Sequence, residues 1–123
     1  MNIVFKWITV KSMAYLRKEK EMVEIDYSLK KVWTAIPKVL KSLEWNIEEI
    51  DDAAHHVNAK TKAAFMSWDS TLLIDALSVG NNTTRVSVAA ETPVTTITSI
   101  VDFGRTRQRI DLFFTELAKQ LAK

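Results

Sequence analysis

The chain has no cysteine in its 123 residues, and only two glycines, two prolines and two histidines. Without thiols there is no disulfide framework, no zinc–thiolate centre, no iron–sulfur cluster and no cysteine nucleophile. Glycine is confined to Gly80 and Gly104, so the glycine-rich loops that cradle phosphates and dinucleotides are missing, as is a nucleophilic-serine motif. Long apolar runs are scarce too. The stretch Ile3-Val4-Phe5-Lys6-Trp7-Ile8-Thr9-Val10 is interrupted by Lys6 and falls well short of the roughly 20 apolar residues of a membrane-spanning helix. It also lacks the order of a secretory signal, a basic region followed by an unbroken apolar segment. The chain reads as cytoplasmic.

What remains is the composition of an ordered domain. Apolar residues make up 47% and charged residues 26%, at a length that supports one hydrophobic core without covalent staples. The net charge of +2 is too small to indicate a polyanion partner by itself. Its distribution is uneven, since Lys6, Lys11, Arg17, Lys18 and Lys20 face only Glu19 and Glu21 within the first 22 residues. Residues 1–20 are therefore read as a basic, partly apolar arm, and residues 21–123 as a single α+β domain.

Periodicity supplies the elements. Val23, Ile25 and Tyr27 alternate with Glu24 and Asp26, the pattern of a half-buried strand over Glu21 to Tyr27. Ser28 stands at an N-cap position, and Val32, Trp33, Ile36, Val39, Leu40 and Leu43 recur at helical spacing behind it. Pro37 lies in mid-helix, where it removes one backbone bond, so a kink or a pair of short helices is expected. Trp45 to Ile50 reads as a strand with one imperfect step. Val57, Ala59, Thr61, Ala63 and Phe65 then share one face of another. Thr71 to Leu77 and Thr83 to Glu91 follow as strands about the turn Gly80-Asn81-Asn82, with Pro93 ending the last. A closing helix from about Ser99 to Ala122, roughly 35 Å long at 1.5 Å per residue, carries Phe103, Ile110, Phe113, Phe114, Leu117 and Leu121 on one stripe. The expected fold is α+β: an antiparallel sheet of about five strands in the order β-α-β-β-β-β-α, with the kinked helix and the long C-terminal helix on one face.

This order resembles the TATA-binding-protein-like and helix-grip group, which includes the Bet v 1, START and polyketide-cyclase proteins. The segment Val23-Glu24-Ile25-Asp26-Tyr27-Ser28-Leu29-Lys30-Lys31-Val32-Trp33 looks like the first strand and helix of helix-grip proteins, and Arg109 to Leu121 like their closing helix. Phe65-Met66-Ser67-Trp68 and Val101-Asp102-Phe103-Gly104-Arg105 are similar to segments of small prokaryotic one-domain proteins with the same order. The helix-grip group usually has seven strands and a glycine-rich loop, and the smaller count here argues against a large internal cavity. The resemblance implies a fold and an apolar ligand. By family analogy alone it also admits an enzyme acting on an apolar carbonyl substrate.

Candidate sites follow from residue type. Trp33, Trp45, Phe65, Trp68, Phe103, Phe113 and Phe114 are the aromatic residues that could line a pocket around an apolar small molecule, with Trp33, Phe65, Trp68, Phe103 and Phe113 the named candidates. Trp68, at an expected turn, has no obvious core position, whereas Trp33 and Phe113 sit on stripes that face the sheet in any case. Lys6, Trp7, Lys11, Arg17 and Lys18 are the candidates for contact with an anionic membrane surface, unless the arm packs on its own domain or on a partner. Arg105, Arg107 and Arg109 read as a solvated helix face. His55 and His56 are adjacent and diverge in an extended chain, which is poor geometry for a shared metal. The cluster Glu44, Glu48, Glu49, Asp51 and Asp52 reads as a solvated turn, so no catalytic residue, metal or cofactor is expected. A non-catalytic binding or interaction domain is the leading reading. A peripheral protein on an anionic membrane is the alternative and nucleic-acid binding the third, with a homodimer through a sheet edge open as an assembly.

Overall fold

A computed structural model describes residues 15–62, 69–94 and 104–123. Its elements, in chain order, are β1 (Tyr15–Ile25), α1 (Leu29–Ser42), β2 (Asn46–Asp51), β3 (His56–Lys60), β4 (Thr71–Gly80), β5 (Thr83–Val94) and α2 (Arg105–Leu121). The five strands form one antiparallel sheet in the order β1-β5-β4-β3-β2. Both helices cover the same face.

Alternation decides that face. Val57, Ala59, Leu72, Ile74, Ala76, Val86, Val88 and Ala90 point inward from β3, β4 and β5. Val32, Ile36, Val39 and Leu40 of α1 close over them, together with Ile110, Phe113, Leu117 and Leu121 of α2. Burying each large apolar side chain is worth about 1.5–3 kcal/mol, so this layer is the main source of stability. The other face carries exposed Lys18, Lys20, Asp75 and Leu77. Among the described residues β1 and β2 each have a single strand neighbour.

Four expectations are corrected. β1 begins at Tyr15 rather than Glu21 and ends at Ile25, before Tyr27; it pairs along its whole length with β5, from Tyr15 opposite Val94 to Ile25 opposite Thr84. Arg17 and Lys18 therefore stand on a paired strand, and their side chains take opposite faces of it. Of the two outcomes expected at Pro37, the pair of short helices is not found, for one helix runs through 14 residues. A proline there costs about 3 kcal/mol, less than the summed burial of Val32, Ala35, Ile36, Val39 and Leu40. Pro93 does not end β5 either. The last residue of β5 opposite β4 is Glu91, so among the described residues Pro93 has β1 as its one strand neighbour, and a missing N–H is tolerated where the ladder asks for no bond from it. Finally, α2 starts at Arg105, behind Gly104 at φ 80°, and spans 17 residues.

The strand end of the β2–β3 hairpin is irregular as anticipated, with a register shift between Ile47 and Glu49. The end of α1 is less obvious from sequence. Glu44 takes a left-handed φ of 61°, its N–H bonds Lys41 O at 3.0 Å, and Trp45 N–H bonds Leu40 O at 2.9 Å. That pair of bonds is a Schellman cap, usually built on glycine.

Candidate ligand groove and lysine cleft

Three polar or concave regions stand out, and all involve the seam where α2 crosses the sheet or the hairpin beyond it. The first lies beside the start of α2 and is buried. Thr61 and Ser70 bridge the end of β3 and the start of β4, each backbone N–H finding the other residue, one at the Ser70 carbonyl and one at Thr61 Oγ1, both 2.9 Å. Ser70 Oγ then meets Thr92 Oγ1 and accepts from Arg109 Nη1, while Thr92 and Thr106 share a hydrogen bond of 2.9 Å. All five residues are buried. Arg109 thus turns into the protein, correcting its expected place on a solvated face. The buried guanidinium is hydrogen-bonded there, its Nη1 donating to Ser70 Oγ at one end of this hydroxyl chain. Arg107 stays near the surface and pairs with Glu21 of β1 and with Asp111.

The second region is a groove of about 370 Å³ between the far end of β1 and the far end of α2. Val23 and Ile25 form one wall, Phe114, Leu117 and Leu121 the other, and Tyr27 closes the end. Backbone geometry sets Tyr27 there: its N–H returns to Ile25 O at 2.8 Å in a three-residue turn, and its carbonyl accepts from Thr84 Oγ1 at 2.8 Å. Leu117 and Leu121 are core residues, whereas Val23, Ile25, Tyr27 and Phe114 are half-buried. The groove is a place where the core reaches solvent.

A cleft of about 440 Å³ adjoins it across Leu121, which lines both. Its walls carry Lys30, Lys31 and Lys38 of α1 and Lys123 beyond α2, with Gln120 and no Asp or Glu side chain among the described lining residues. Ser28 caps α1 by accepting from Lys31 N–H at 3.3 Å, and no acidic residue occupies the first turn of that helix. Lys31 Nζ sits 4.4 Å above the centre of the Tyr27 ring, a cation–π contact that ties the cleft to the groove. Glu116, one turn before Gln120, accepts from both Ser42 and Gln120 at 3.1 Å.

The third region is the β2–β3 hairpin. Asp51 Oδ1 accepts from Ala53 and Ala54 N–H at 3.0 Å, and Asp52 accepts from Trp33 Nε1 at 3.0 Å. His55, at φ 53°, meets Trp33 edge to face at 5.1 Å. On the outer face His56 Nδ1 lies 2.7 Å from Asp75 Oδ1 and Nε2 lies 2.6 Å from Asn58 Oδ1. Asn58 donates its own amide to Glu49 at 3.4 Å, so its oxygen faces the imidazole, and in the protonated ring both nitrogens can donate. The hydrogen bond to Asp75 accordingly raises the His56 pKa above the ordinary 6.5, helped by Asn58 and by the charges of Asp75 and Glu49 and opposed by burial. No group of three metal-ligating side chains converges among the described residues.

Of the aromatic candidates, Phe113 is a fully buried core residue and Trp33 braces the hairpin; the structure does not bring them into one pocket. Phe65, Trp68 and Phe103 lie outside the described residues, as do Lys6, Trp7 and Lys11. Phe114, one of the aromatics considered for a pocket, does line the groove, whereas sequence reasoning passed over Tyr27 and the lysines of α1. The signal was present in Lys30, Lys31 and Lys38, three basic residues within nine positions of one helix, but only α2 packing beside them makes a cleft.

The strand order, the helix between β1 and β2 and the long closing helix define the helix-grip fold of the Bet v 1-like proteins, in a five-strand form. No family model matches the chain, and no curated protein matches it in sequence. Solved structures do match in fold. Norcoclaurine synthase from Thalictrum flavum aligns with a TM-score of 0.66 at 9% identity over 94% of this chain and 92% of that one. The Zhui aromatase/cyclase from Streptomyces sp. R1128 gives 0.64 at 10% over 86% and 94%. Ara h 8.0201 gives 0.62 at 8% over 89% and 100%. Among the described residues no helix is long and apolar enough to cross a membrane.

Proposed function

We propose that this domain is a non-catalytic binding protein for a small apolar ligand, held in the groove between β1 and α2. The observation that carries the reading is that groove: about 370 Å³ bounded by aliphatic and aromatic side chains, with Tyr27 its one titratable group. Such concave apolar surface beside a few polar groups is where small molecules gain affinity. Tyr27 alone offers no acid–base pair, which favours binding over turnover. The fold supports the binding of small aromatic molecules in general, because norcoclaurine synthase of this fold is solved with dopamine and hydroxybenzaldehyde.

Thermal unfolding of the full chain with 1-octanol and with indole tests it. A ligand at 100 times its Kd adds about 2.7 kcal/mol of stability, so a concentration-dependent rise in Tm is expected. Ala118→Trp, at an exposed position on the groove wall, fills the space and removes the rise. No shift with either compound, or the same shift in the Ala118→Trp protein, sinks the reading.

A further inference from the structure

Four lysine ammonium groups line one wall system with no Asp or Glu side chain among its described lining residues. None of the four is in an ion pair among the described residues, whose lysine ion pair is Lys62 with Glu44. The start of α1 adds to the same field, since a helix presents partial positive charge at its N-terminus and no acidic side chain in the first turn answers it. The one carboxylate close by along α2, Glu116, is engaged by Ser42 and Gln120. Positive charge gathered without compensation is a cost in the empty protein that an anion relieves.

The cleft does not stand alone. It meets the apolar groove at Leu121, and Lys31 leans over the Tyr27 ring that ends the groove. A molecule lying along the seam therefore passes from aliphatic and aromatic walls directly to ammonium donors. We infer that the groove and the cleft form one amphipathic site, whose occupant is a free small carboxylic acid with an apolar body. The body lies along Phe114 and Leu117, and the carboxylate accepts from Lys31 and Lys38. This rests on the groove being a ligand site and adds the chemistry of the head group. Charge-assisted hydrogen bonds to a carboxylate are stronger than neutral ones, and they set the preference for an acid over the matching alcohol.

Isothermal titration of the full chain at pH 8 and low salt, with octanoate, 1-octanol and acetate as probes, separates the possibilities. Octanoate is expected to bind about tenfold more tightly than 1-octanol, with an affinity that falls as salt rises, and acetate is expected to show no saturable binding. Lys31→Gln/Lys38→Gln keeps side-chain length at exposed positions; it should erase the preference by bringing octanoate down to the affinity of 1-octanol. Ala118→Trp should weaken both. Equal binding of octanoate and 1-octanol, unaffected by the lysine changes, overturns the head-group assignment and leaves the apolar groove standing. Failure of both probes to bind removes the groove and this inference together. Acetate binding as tightly as octanoate overturns it in another way, making the cleft an anion site independent of the groove. Lysine-dependent retention on phosphatidylglycerol vesicles without octanoate binding overturns it in favour of a membrane surface.

Discussion

The two ends of α2 rest on the same sheet and are built on opposite principles. At its start, Thr106 and Arg109 point into the protein and are hydrogen-bonded with Thr92 and Ser70, while Arg107 pairs with Glu21. At its end, Leu117 and Leu121 finish the core beside a groove, and the nearby lysines have no ion pair among the described residues. Polar groups that find partners inside the molecule hold it together. Charges gathered without internal partners are available to something else. On that ground the first end is structural, and the second is the one proposed as the site.

The largest test is a pair of neighbouring phenylalanines. Phe113→Ala should cost about 3–5 kcal/mol, as for a fully buried ring, whereas Phe114→Ala, half-buried on the groove wall, should cost less than half as much and weaken 1-octanol binding. Urea titration of both variants measures it; equal losses would mean that the groove is merely core. Next, Arg109→Ala should destabilise by about 3 kcal/mol by leaving buried hydroxyls short of a partner, with groove binding intact. A loss under about 1 kcal/mol would break the contrast between the ends.

Smaller effects sharpen it. Lys31→Gln should change stability by no more than about 0.5 kcal/mol, in either direction, because an exposed lysine amid like charges contributes little to folding. Guanidinium melts check this, and a clear loss would make the cleft structural after all. His56 belongs with the satisfied groups. Its pKa is raised in the folded protein, so the stabilisation from Asp75 is fully present below about pH 6.5 and disappears as pH rises through the folded-state value. Comparing Tm at pH 5.5 and pH 9 for the natural protein and for Asp75→Asn isolates this, and the natural protein should lose slightly more on going to high pH.

Much of the fold was legible because its cause is local. Alternation at Val23 and Ile25, at Val57 and Ala59, and along Thr83 to Glu91 follows from a pleat with one packed face, and Ser28 caps α1 for reasons contained in four residues. The failures have a common cause in neighbours far along the chain. Pro93 is permitted inside β5 because β4 begins opposite Glu91, and Pro37 inside α1 because the helix is held from both sides by the core. Glu44 shows the same limit at short range, for its left-handed cap is held by two backbone bonds that composition does not announce.

The site was less legible than the fold. Phe113 and Phe114 carry the same side chain at adjacent positions, and only the direction of α2 over the sheet makes one core and the other a groove wall. Arg109 and Arg107 divide in the same way between burial and surface. The sequence by itself determined a cysteine-free α+β chain, the inward face of each strand and the stripe of each helix, since period and side-chain chemistry are properties of short segments. Tertiary structure alone decided that Leu121 would join an apolar groove to four lysines drawn from two elements some ninety residues apart, because such a meeting depends on how α2 lies against α1 and β1.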